Sequence, residues 1–426
     1  MRMVCALAAT VLFVGCPLYG QQVTVLVNAF ENQTGDRTLD WIGEGLAAAI
    51  GDRLTARREL YVFGFDERVA EYERLGIPEG ASVSRATAIR MGWDMGADAL
   101  VTGWISGTHE RFQINARILN LADDTAGVDL TVAGELDELI PMAANLASSL
   151  ANQLVPGSAM PESDYATRPP VPRSAFEAYI RGVLSTDPQR RVELLQDAIR
   201  LYPPYGAAIF HLGQTHYLDS SYKASNESLL KIAANAPEFP QAQFMVGMNA
   251  YHLEEYTRAI QIFSALPPTY DVLVNRGASF AAAGDAVAAT TAWVRALEAN
   301  PSGTEAQFNL AFLSFRKEEW ELASSRLAQF VQEHPRDSEA VFLLGKAYDR
   351  LGRADESRAM TDQALRLSPR LGRFLTQPVP NLVRVRTEFN PTELRMSAGK
   401  GLWNEARIAR RAAAQEASGG LTGPKR

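Results

Sequence analysis

The stretch "AFLSFRKEEWELASSRLAQFVQEHP" (311–335) holds two helical runs around a short polar turn. Ala311 belongs to a row of small residues. Gly213 and Gly247 stand 34 apart, and Gly277, Ala311 and Gly345 again stand 34 apart. Pro237, Pro301, Pro335 and Pro369 follow at the helix ends, with "LPP" (266–268) at a shortened repeat. Between them lie Ala259/Phe263, Ala289/Trp293, Ala323/Leu327 and Ser357/Thr361, each a small residue followed four positions later by a larger one. The turns "YHLEEYTRAI", "FRKEEWELAS" and "YDRLGRADES" recur at matching places. A fixed period in this range predicts stacked supersecondary units sharing one continuous core. The small residue of the first helix lets the second approach closely, and proline ends that second helix, because the residue before it is pushed out of the α region.

This spacing resembles the tetratricopeptide repeat (TPR) family across 174–371. Repeats start near 206, 240, 270, 304 and 338, preceded by a degenerate one at 174–203. The resemblance implies an all-α solenoid of helix-turn-helix units that binds protein. In that register the groove-facing positions of the first helices are Phe210, Gln214, Tyr217, Phe244, Met248, Tyr251, Val274, Phe308, Phe312, Phe315, Phe342, Lys346 and Asp349. Such an aromatic-lined surface suits an extended or helical peptide.

Residues 21–155 alternate strands and helices, which predicts an N-terminal α/β sandwich domain. Strands are expected at 23–27, 60–65, 97–106, 111–121 and 126–134. Leu39, Ile42, Leu46, Ile50 and Leu54 recur at helical spacing, and Ala86, Ile89 and Trp93 are read as one face of a second helix. The segment 136–154 closes the domain as a helix. In 112–118, Phe112, Ile114, Ala116 and Ile118 alternate with Gln113, Asn115 and Arg117, the pattern of a half-exposed antiparallel strand.

The loop "NAFENQTGDRTLDWIGEGLA" (28–47) lies between a strand and a helix, where phosphates bind in other proteins. A phosphate cradle needs several glycines and a Lys-Ser/Thr pair. Here Gly35 is the only glycine before the helix, no lysine follows, and Asp36 and Asp40 stand at the entrance. Asp36 or Thr38 reads as a helix cap. The loop together with Phe30, Asn32, Thr34, Gly35, Asp36, Gly45, Leu46, Asp98 and Gly103 looks like the TolB amino-terminal-like domain, over about 23–155. That resemblance implies interaction rather than catalysis. The strand "GVDLTVAG" departs from the family's tryptophan-bearing strand.

The chain of 426 residues carries a formal charge of -7, unlike a nucleic-acid binder. Residues 372–426 hold 10 Lys+Arg against 4 Asp+Glu, so the tail is positive and the body negative. The tail suits either docking on the chain's own acidic body or an anionic surface such as a membrane or a peptidoglycan-linked polymer. It begins with "QPVPNLVRVRTEF", read as an extended arm. Residues 156–173 form a proline-rich linker. Residues 1–20 read as an export signal, with Arg2 ahead of the apolar run "VCALAATVLFVG". Cleavage after Gly20 would release a soluble protein, the favoured reading. The alternative takes "LFVGC" as a lipoprotein box with Cys16 lipidated. Cys5 lies inside the signal, which leaves no disulfide chemistry. No transmembrane helix is expected in the mature chain.

The five histidines do not fall at metal-ligand spacing, and no nucleophile elbow or Ser-His-Asp pattern is present. The sequence therefore implies no cofactor, no metal and no catalytic residue. The expectation is an exported, non-enzymatic interaction scaffold of the bacterial cell envelope, periplasmic or associated with the outer membrane, its repeat groove holding a protein or peptide. The alternative is a ligand-sensing protein binding a small anion at the N-terminal loop.

Overall fold

The computed structural model describes residues 22–57, 59–77, 83–121, 127–156, 171–387 and Phe389. The signal segment with Cys16, most of the proline-rich linker and the tail beyond Phe389 lie outside the described residues. The chain divides between Arg173 and Ser174 into two compact units.

Among the described residues the first unit is a six-stranded mixed sheet with four α-helices. Strands β1 (Val23–Val27), β3 (Leu60–Val62) and β4 (Ala99–Gly107) run parallel, with β1 central. β5 (Phe112–Asn120) and β6 (Val128–Gly134) continue antiparallel, giving the order β3-β1-β4-β5-β6, and the short β2 (Glu31–Asn32) pairs with β4. Leu26, Leu100 and Leu119 face helices α2 (Phe65–Leu75) and α3 (Arg85–Met95), meeting Tyr72, Ala88, Met91 and Met95. The opposite face carries Phe112, Ile114 and Ala116. It meets α4 (Leu139–Leu154), which packs on α1 (Trp41–Thr55). The alternation read in 112–118 is thus a two-faced strand whose outward residues are Gln113, Asn115 and Arg117.

Two readings need correction. The second strand ends at Val62, and α2 follows from Phe65. Gly64 is the hinge: the Glu67 carboxylate accepts from the Gly64 amide at 2.9 Å and from the Tyr61 hydroxyl at 2.6 Å, closing the helix start. In α3 the buried face is Ala88, Met91, Gly92 and Met95, while Trp93 is 54% exposed. The buried face is thus turned away from the Ala86, Ile89 and Trp93 row.

The 28–47 loop closes on itself. Asn32 accepts from the Thr34 amide (3.0 Å) and hydroxyl (2.7 Å), and donates to the Asp36 carbonyl (2.8 Å) and the Asp40 carboxylate (2.6 Å). Asp36 caps a 3-10 turn (Arg37–Leu39) by accepting from the Thr38 amide and hydroxyl, which hold its carboxyl below the ordinary range. Phe30 lies over Gly103, where a Cβ would come within 2.2 Å of its ring. Asp98 accepts from the Thr24 amide and hydroxyl, tying β1 to the start of β4. The motif residues therefore join a strand to a helix.

Among the described residues the second unit holds six helix pairs. They are Arg173–Val183 with Pro188–Leu201, Gly206–Leu218 with Tyr222–Leu229, Phe239–His252 with Tyr256–Ala265, Tyr270–Ala282 with Ala286–Ala299, Thr304–Arg316 with Trp320–Glu333, and Ser338–Arg350 with Ala354–Leu367. One steric device repeats: the small residue of the first helix faces the residue 16 positions later. A Cβ on Gly213 would fall 2.5 Å from Leu229, on Gly247 2.8 Å from Phe263, and on Gly277 2.4 Å from Trp293. The turn inside five of the pairs also repeats, with a left-handed residue at Ser220, Glu254, Gly284, Glu318 and Gly352. The next amide reaches back to close each helix, as Glu255 does to the Ala250 carbonyl at 2.8 Å.

Candidate functional site

The first helices of successive pairs adjoin one another and form the inner surface of the solenoid. A segment of the chain itself lies along it. Pro369–Leu375 makes one more 3-10 turn after the last pair, and residues 376–387 then run without helix or strand back along the repeats. Lys346 donates to the Leu375 carbonyl at 3.3 Å. Val379, Leu382 and Val383 pack on the cluster of Phe308, Phe312 and Phe315, and Val379 also on Phe342. Val383 and Val385 pack on the cluster containing Val274, with Tyr251 beside it. Val385 and Phe389 reach the cluster of Phe244 and Met248, where the Phe389 ring stacks on Phe244 at 4.8 Å.

Two asparagines hold the main chain of this segment. Asn309 accepts from the Arg384 amide at 2.7 Å and donates to the Arg384 carbonyl at 2.8 Å. Asn275 does the same for Arg386, at 2.7 and 2.9 Å. Each side-chain amide supplies one donor and one acceptor, as a neighbouring strand would. The asparagines are 34 apart in sequence and their targets two apart. One repeat therefore reads one dipeptide, the side-chain period of an extended chain.

The two arginines enter acidic pockets. Arg386 pairs with Asp271 at 2.7 Å and Glu305 at 2.8 Å, and the Asp271 side chain is only 2% exposed. Arg384 pairs with Asp337 at 2.7 Å and Glu339 at 3.3 Å, with its guanidinium 3.5 Å above the Phe308 ring. Planarity and several donors suit arginine to both roles. Asp271, Glu305 and Glu339 are themselves 34 apart, on the first turn of three successive inner helices. Each of the first two lies four residues before a clamping asparagine, so acid and amide share one helix face.

Burial pushes the Glu305 carboxyl up, but hydrogen bonds from Arg386 and Tyr270 outweigh it and leave the group below its ordinary 4.5. Such a carboxylate stabilises the docked segment above its free value, and that contribution is lost as pH falls through the lower docked one. The amide resonances of Arg384 and Arg386, followed by NMR, are therefore expected to keep docked shifts from pH 7 to about 4.5 and to move towards free-peptide values below it. Shifts unchanged to about pH 3 would mean that ionised carboxylates do not hold the segment.

The positions read as an open aromatic lining are placed differently. Val274, Phe308, Phe312 and Phe342 are buried, as are Phe244 and Met248. They form the groove floor on one side and the repeat core on the other: Phe308 meets Arg384 above and Phe330 edge-on at 5.7 Å. Serine at Phe308 and Phe312 would therefore damage the solenoid as well as the groove. Tyr217 hydrogen-bonds His252 at 3.2 Å, and burial beside Tyr222 pushes its hydroxyl up to about 12. Phe210 packs on the cluster of Ile209 and Leu229, Gln214 bonds His211 at 3.1 Å, and Asp349 is exposed. The residues that grip the segment, Asn275, Asn309, Asp271, Glu305, Asp337 and Glu339, were absent from the sequence reading. The 34-residue recurrence of Asn275 with Asn309, and of Asp271 with Glu305 and Glu339, was the signal available.

The tetratricopeptide repeat family profile matches residues 313–371. A stretch of 88 residues is 30% identical to anaphase-promoting complex subunit 3 of Dictyostelium discoideum, covering 21% of this chain and 9% of that protein. The chain thus spans less than a tenth of the length of the curated relative it matches. Among solved structures, a tetratricopeptide repeat protein from Parabacteroides merdae is 16% identical, with 59% of this chain and 94% of that one covered and a TM-score of 0.41. PilW, a type IV pilus biogenesis factor, is 19% identical, with 47% and 95% covered and a TM-score of 0.41. The family match itself rests on residues 313–371. Among the described residues no helix is long and apolar enough to cross a membrane.

Proposed function

We propose that this protein is a non-catalytic interaction scaffold whose repeat groove holds an extended polypeptide segment. The observation that carries this reading is the pair of asparagines, each closing two hydrogen bonds on one residue's main chain. Main-chain capture gives affinity, and the flanking pockets give selectivity, as in strand addition to a sheet edge. The loop residues of the α/β unit support reading it as a TolB amino-terminal-like interaction domain that serves a second contact. The signal-like sequence of residues 1–20 supports reading the scaffold as an exported protein of the bacterial envelope.

A photo-crosslinking amino acid placed at Asp349, on an inner helix, or at Val287, 79% exposed on an outer helix, tests the groove in native cells. Adducts to one partner segment are expected from position 349 and not from 287. Equal adducts from both would contradict the groove.

A further inference from the structure

We propose that residues 382–387 are an intramolecular stand-in for the groove's partner, and that the partner is an extended segment with arginines two residues apart between aliphatic residues. This rests on the reading of the groove as a peptide holder.

The occupant is the chain's own "LVRVRT" (382–387), with Phe389 beyond it. Its described residues are half-buried or exposed, unlike the repeat core beneath. Phe263 and Trp293 lie against Gly247 and Gly277 of their own helix pairs, contacts in which the segment takes no part. What grips the segment is mainly exchangeable: asparagine-to-main-chain bonds, ion pairs and a ring face. The same pockets define what could replace it. Four carboxylates, Asp271, Glu305, Asp337 and Glu339, meet two arginines, so the groove selects a basic ligand and excludes an acidic one. The spacing of Asn275 and Asn309 fixes the arginines at alternate positions. Val383 and Val385 pack on clusters of the repeat core, which asks for one aliphatic residue before the first arginine and one between the two.

Tethering sets the block. A segment joined by a short connection acts at an effective concentration on the order of millimolar, so it masks the groove from a free peptide of micromolar affinity. A partner must bind more tightly than the tail, or find it released.

The test uses a fluorescent peptide of residues 380–389, titrated by polarisation into the full chain and into the full chain carrying Arg384→Glu and Arg386→Glu. The altered chain is expected to bind at least about tenfold more tightly, because its own tail is repelled by the acidic pockets. A peptide with alanine for both arginines should bind at least about tenfold more weakly. Equal binding by the two chains would overturn the block and leave the peptide-holding groove standing. Equal binding of the two peptides would overturn the arginine pattern. A folded, helical altered chain that binds neither peptide would overturn the groove reading itself. Arg386→Ala repeats the comparison should the double reversal fail to fold.

Discussion

Trp293→Ala is expected to lower the stability of the repeats by about 3–5 kcal/mol, the cost of emptying a large aromatic site in a packed interior. Trp293 is fully buried, with its indole against Gly277 and its Nε1 donating to the Val274 carbonyl at 3.0 Å. Alanine would leave a cavity between the fourth and fifth pairs and remove that donor, because Tyr270, Val274, Ala306 and Leu310 line the same cluster. The change sits on the packing link, but its consequence is functional, since Val274 lies beneath Val383 and Val385. In a solenoid of this size the loss corresponds to a fall in Tm of roughly 6–20 °C. Calorimetry of the two chains reads it directly. Trp293→Phe, which keeps most of the volume, should lose much less. A Tm within about 2 °C of the parent for the alanine variant would contradict the packing assigned to the fourth repeat.

The second large effect is on docking. Arg386→Ala removes an ion pair whose acid, Asp271, is almost wholly shielded from water, together with the bond to Glu305. Truncating one partner of a buried, hydrogen-bonded pair costs about 2–5 kcal/mol, most of it the charge left behind. Arg384 cannot compensate, because its carboxylates, Asp337 and Glu339, belong to the next repeat. Asn275 keeps its main-chain bonds in principle, but two neutral hydrogen bonds contribute only about 1 kcal/mol each. Trypsin cleavage after Arg384 should accelerate about 30-fold or more while the helical signal stays unchanged. Lysine at 386 should behave more like alanine than like arginine, since an ammonium cannot bridge two carboxylates from one planar fork. Cleavage at the parental rate would show that the arginine does not anchor the segment.

Much of the solenoid was legible because its determinants are local. The Gly277–Trp293 contact spans 16 residues and repeats, so a period could be counted without knowing the shape. The α/β unit was legible where alternation is strict, as in 112–118. It was not where a short polar helix, "FDERVAEYERL", buries only one side against the sheet. Trp93 shows that size is a poor guide to burial when Met91 and Met95 on the same helix point inward. The groove was half legible. Reading it through its aromatics placed the floor but not the grip, because Phe308 and Phe342 serve the core as well as the surface. The grip is polar and long-range: Asn309 meets a residue 75 positions away, and Asn275 one 111 positions away. No local pattern encodes such a pairing, although "VRVR" opposite an acidic residue every 34 positions is the charge pattern it requires.

Amide hydrogen exchange at Arg384 and Arg386 in the unaltered chain tests the central claim, that the repeat groove is occupied by the chain's own segment. Both amides donate to buried asparagine side chains. They are expected to exchange far more slowly than the same residues in the free peptide of 380–389, and to lose that protection in the Arg386→Ala chain. Exchange at the free-peptide rate in the unaltered chain would mean that the groove stands empty in solution, and would contradict the account.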